Sequence, residues 1–167
     1  MAELNLTQEE IDERIAILRH FRALLEQQRN KFREYLEVLE KQQTAIEKGD
    51  TEALLAHTEL EQQIVANIGN LQKVITPMEK LYESKSAPIF GGGNSNNNEE
   101  AAFIPHLKTD LMKLQQEVLL RNRQNCDMLR SNMAEMKTRM AMFRNPYKNS
   151  RSVYANSSTA SLVNVQG

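Results

Sequence analysis

Apolar residues recur every seven positions over the first third of the chain, at Ile11, Leu18, Leu25, Phe32, Leu39 and Ile46. Seven residues make two turns of a slightly underwound helix, so this spacing puts all six on one seam. The d-type positions are mixed (Arg14, Phe21, Gln28, Tyr35, Gln42), and further apolar residues flank the seam at Ile15, Leu24, Leu36 and Val38. A two-stranded zipper would keep a narrow stripe, whereas a helix with two neighbours needs this wider face. The pattern predicts one long helix inside a helical bundle.

Its ends are marked. Thr7 can cap, Glu10 closes a capping box three residues on, and Leu6 can staple against Ile11. Gly49 supplies a left-handed stop and Asp50 the next cap, which predicts a first helix over about 8–48. So short a connection implies an antiparallel neighbour. The second helix, about 51–83, carries Leu54, Ile64, Ile68, Leu71, Ile75, Met78 and Tyr82 at helical spacing, with Pro77 expected as a kink within it.

Residues 84–98 hold three glycines and a run of asparagines and read as a flexible linker, in which Ile89 and Phe90 could tuck against the bundle end. No phosphate-loop pattern follows the glycines. A third helix starts between Asn98 and Pro105 and runs over about 99–144, ending at Asn145-Pro146. Its seam reads Leu107, Leu111, Leu114, Val118, Asn122, Asn125, Leu129, Met133, Met136, Met140 and Phe143. The expected fold is all-α: an elongated antiparallel bundle of three long helices forming a single domain over 1–144, followed by a disordered C-terminal tail over 145–167.

Composition agrees with helix: 40% of the residues are hydrophobic, 5% aromatic, and tryptophan is absent. The single Cys126 excludes an internal disulfide, and the start of the chain reads as neither a secretory nor a transit segment. No apolar run approaches the roughly 20 residues that span a bilayer, so the expectation is a soluble, cytoplasmic protein without membrane insertion. Net charge is −1, yet residues 1–84 hold 16 acids and 10 bases while 85–167 hold 6 acids and 11 bases. Either the oppositely charged helices orient one another, or the basic end meets an acidic partner. No nucleic-acid-binding motif accompanies the basic residues, and no nucleic-acid partner is expected.

Catalytic patterns are weak. Ala56-His57-Thr58 echoes a phosphotransfer helix, but Leu60 stands where a lysine is usual, between Glu59 and Glu61. His20 and His106 lack companions at metal-ligand spacing. The expectation is no enzyme, no cofactor and no metal. Asn122 and Asn125 break an apolar seam, either as a polar layer fixing helix register or as a ligand contact. Five of the eight methionines fall between 128 and 142. Met133, Met136 and Met140 share a face with Leu129 and Phe143, either as core or as an adaptable groove for a partner's amphipathic helix. In the tail, Tyr147 and Tyr154 stand among basic residues, as a frayed end or as a docking peptide.

Three long helices, the Lys48-Gly49-Asp50 break, the stretch Leu119-Leu120-Arg121-Asn122-Arg123-Gln124-Asn125, and the tail with Asn145-Pro146-Tyr147 and Ser152-Val153-Tyr154-Ala155 together resemble the flagellar export chaperone family FlgN. The glycine–asparagine insert at 84–98 departs from that pattern. The resemblance implies a cytoplasmic chaperone of the flagellar type III secretion system, which holds hook–filament junction proteins and delivers them to the flagellar export gate. It implies no ATP and no metal. The methionine face then suggests a client site at Leu129, Met133, Met136, Met140 and Phe143, and the tail chemistry suggests gate docking at Tyr147 and Tyr154. A non-chaperone coiled-coil adaptor or scaffold explains the heptads as well.

Overall fold

The computed structural model describes residues 7–86 and 95–144. They form three helices: α1 (Gln8–Lys48), α2 (Thr51–Ser86) and α3 (Ser95–Arg144). The chain divides into two compact units, Met1–Cys126 and Asp127–Gly167.

The first unit is an all-α bundle running up, down and up. At the start of α1 the Thr7 hydroxyl accepts from the Glu10 amide while the Glu10 carboxylate accepts from the Thr7 amide, so two otherwise orphaned donors are satisfied. That amide, and then the Thr7 hydroxyl, holds the Glu10 carboxyl below its ordinary pKa. At the other end Gly49 adopts φ 68° and its N–H turns back to the carbonyls of Ala45 and Ile46. Asp50 caps α2 by accepting from the Ala53 amide at 3.0 Å.

From Leu18 onward the heptad seam of α1 is buried, including its d positions: Phe21, Gln28, Tyr35 and Gln42. The three polar d residues each have a partner on α2. Gln28 donates to Gln72 at 2.7 Å, while Tyr35 and Gln42 both donate to Glu61. These pairs match early α1 with late α2, the antiparallel order that the Gly49 reversal demands. On α3, Ile104, Leu107, Leu111 and Val118 are buried in the same core as Leu18, Leu25, Phe32 and Leu39. Arg22 lies 4.4 Å from the centre of the Phe103 ring, and Arg121 reaches Glu40 at 3.5 Å, so α3 runs parallel to α1. Lys108 pairs with Glu79 of α2 at 2.6 Å. These ion pairs, partly open to solvent, contribute roughly 0–1 kcal/mol each.

Two helix boundaries differ from expectation. α2 continues through Pro77 as expected but runs on to Ser86, and α3 begins at Ser95, ahead of Asn98, so Pro105 lies inside the helix. Glu99, Glu100, Ala101 and Ala102 are good helix formers, and a helix once nucleated extends at little cost into poorer residues. The interval 84–98 is therefore partly helical; Ile89 and Phe90 lie outside the described residues.

Candidate functional site

Helical seams give α3 the same sequence character from Leu107 to Phe143, but the two units treat it differently. In the first, the seam is buried and closes on a polar layer. Asn125 is 3% exposed and donates to the Leu39 carbonyl at 2.9 Å; Asn122, half-buried, donates to the Tyr35 hydroxyl at 3.4 Å. Both asparagines are thus spent on α1, which favours the register reading over a ligand contact. Burial, then the hydrogen bond to Glu61, pushes the Tyr35 phenol well above its ordinary pKa. A phenol so held is a structural donor, protonated at neutral pH.

In the second unit, Leu129 is half-buried and every residue over 131–144 is exposed. Met133, Met136 and Met140 are 57, 58 and 62% exposed and Phe143 is 86% exposed. Core packing is therefore not their role, and the reading of them as part of a bundle core is overturned. Leu129, Met133, Met136, Met140 and Phe143 follow one another at alternating steps of four and three, a heptad seam on one helix face. In that register Arg130, Lys137 and Arg144 occupy the e positions and Arg139 a g position, so cations edge the seam on both sides. Asp127 lies on the opposite face and is 3.8 Å from Arg130. Chemically this is an apolar helix stripe with a basic rim. Nothing in it is nucleophilic or positioned for acid–base work.

Tyr147 and Tyr154, the other predicted site residues, lie outside the described residues. His57 is half-buried and borders a depression with Lys41 and Lys48 of α1. Those cations come from a different helix, so local spacing around His57 could not reveal them; Asp50 borders the same depression. Among the described residues, no group of three or more His, Cys, Asp or Glu side chains is placed to hold a metal ion. No helix among them is long and apolar enough to cross a membrane.

No family model and no solved structure matches the chain. A protein of Treponema pallidum (strain Nichols), described as "Uncharacterized protein", is 34% identical over 139 residues, which cover 83% of this chain and 82% of that protein.

Proposed function

The chain belongs to one family with that Treponema pallidum protein, and from the open methionine face of its third helix we propose that it is an export chaperone of the flagellar type III secretion system. It binds hook–filament junction proteins through their amphipathic C-terminal helices, shields those helices from premature assembly, and delivers its client to the export gate from the cytoplasm. No catalysis and no cofactor enter the reading.

The observation that carries it is the exposure of Met133, Met136, Met140 and Phe143 on one seam. A solvated row of large apolar side chains is costly to maintain unless something covers it. Methionine, unbranched and polarizable, adapts to partners of differing shape. The basic rim adds direction: two copies of this face would repel each other, whereas a helix with acidic edges would be matched. The resemblance of the three-helix pattern and tail to the FlgN family supplies the identity of the client.

Co-expression with hook–filament junction proteins, followed by sizing, tests the proposal. A 1:1 complex is expected, lost when Met133→Glu is combined with Met136→Glu in a chain of unchanged helicity. A double variant that still captures the client would refute the site. A wild-type chain that ignores every junction protein would refute the function and leave the coiled-coil scaffold reading, which the heptad seams also support. Tyr147 and Tyr154 are assigned to gate docking: removing 145–167 is expected to spare client binding and abolish secretion.

A further inference from the structure

Besides the row that packs on α1, the helix α2 carries a second apolar row. Leu60, Val74 and Leu81 are 42, 48 and 37% exposed, and with Asn67 they stand at intervals of seven. That interval keeps a stripe facing one neighbouring helix over three heptads. The helix α1 is not that neighbour, since it is met by a different row that includes Ile64 and Ile75. The middle of the stripe, Asn67 and Val74, lines a groove whose other walls include Gln27, Asn30, Lys31 and Glu34 of α1 and Asn70 of α2.

We infer that this groove is a self-association surface, on which α2 of one copy lies antiparallel against α2 of a second. Charge is the first argument. Lys31 and Glu34 neutralise each other at 2.9 Å, and the other polar walls are amides, which both donate and accept and so complement their own copy. The edge of the stripe is complementary too. With Leu60 set against Leu81 of the second copy, Glu59 faces Lys80 of the second copy, and the two-fold axis repeats the pair. Both side chains are exposed. The methionine seam, rimmed by cations, has no such self-complementarity.

Area sets the strength. A stripe of about 22 residues is about 33 Å long and one helix wide, on the order of 300 Å². A stable complex covers roughly 800 Å² per partner. The amide wall of α1 must therefore be covered as well, and the dimer is a weak, reversible one.

The inference stands apart from the export reading and is tested without a client. Sedimentation equilibrium of the full chain under reducing conditions, up to roughly 100 µM, should show a reversible dimer. Val74→Glu should raise its dissociation constant at least tenfold with helicity unchanged. Lys80→Glu should weaken it, and adding Glu59→Lys should restore it, because the swap rebuilds both pairs with reversed sign. A wild-type chain that stays monomeric, a Val74→Glu chain that dimerises like the wild type, or a double swap that fails to recover would each overturn the inference. So would a monomeric wild type that loses a junction protein on Val74→Glu, since the groove would then belong to the client.

Discussion

Asn125 donates its side-chain amide to the main-chain carbonyl of Leu39 across 2.9 Å, in the layer where the buried seam of α3 ends. Its Oδ1 is buried there without a hydrogen-bond partner among the described residues. Asn125→Ala is expected to destabilise the bundle by about 1–2 kcal/mol, through the lost bond and the space left behind. Asn125→Leu should cost less, because it fills the space and removes the unpaired oxygen. Urea midpoints of the two variants check this; equal losses would contradict it.

Tyr35 and Glu61 carry a pH dependence. The Tyr35 ionisation is raised, so the contribution of the neutral phenol is fully present below the ordinary tyrosine value of about 10 and falls as pH rises beyond it. The slope is about 1.4 kcal/mol per pH unit for this one group. Tyr35→Phe should lower stability near neutrality by about 1–2 kcal/mol and remove this part of the alkaline loss. Urea unfolding of both proteins at about pH 8 and about pH 11 would show the difference; identical slopes would count against it.

Gly49 is the single described residue with positive φ, at 68°. A Cβ built there would meet nothing within 4 Å, so the penalty of Gly49→Ala is purely conformational. The expected loss is about 1 kcal/mol, and Gly49→Asn should lose less because asparagine tolerates this region. Thermal midpoints in that order, Gly above Asn above Ala, are the check.

Phe21 and Phe143 should respond oppositely to the same change. Phe21 is 0% exposed, stacked on Tyr82 with centroids 5.1 Å apart, and has Lys108 Nζ 5.7 Å from its ring centre. It therefore joins all three helices, and Phe21→Ala should cost about 3–5 kcal/mol. Phe143→Ala, at a position 86% exposed, should shift stability by less than about 0.5 kcal/mol. Paired denaturation curves read both, and a large loss at Phe143 would mean that its face is covered within the chain.

The methionine face was legible as a spacing, since Leu129, Met133, Met136, Met140 and Phe143 fall on one side of any helix through them. Its exposure was not, because Leu107 and Leu111 obey the same rule and are buried. The role of Glu61 was also hidden. It reads as one of many surface carboxylates, yet Tyr35 and Gln42 converge on it from 26 and 19 residues away. Nor did the composition of 84–98 reveal that helix enters the interval from both ends.

Helix boundaries at Thr7 and Gly49, the α1 seam and the all-α class were determined by the sequence itself. Caps, left-handed glycines and helical periodicity are interactions among residues a few positions apart, and such residues carry their own signal. Tertiary structure alone decided which half of the α3 seam is core, which polar residue meets which, and that α2 keeps a second row at Leu60, Val74 and Leu81. Burial depends on what distant chain lies alongside. Leu39 and Asn125, 86 residues apart, became neighbours only when the three helices closed.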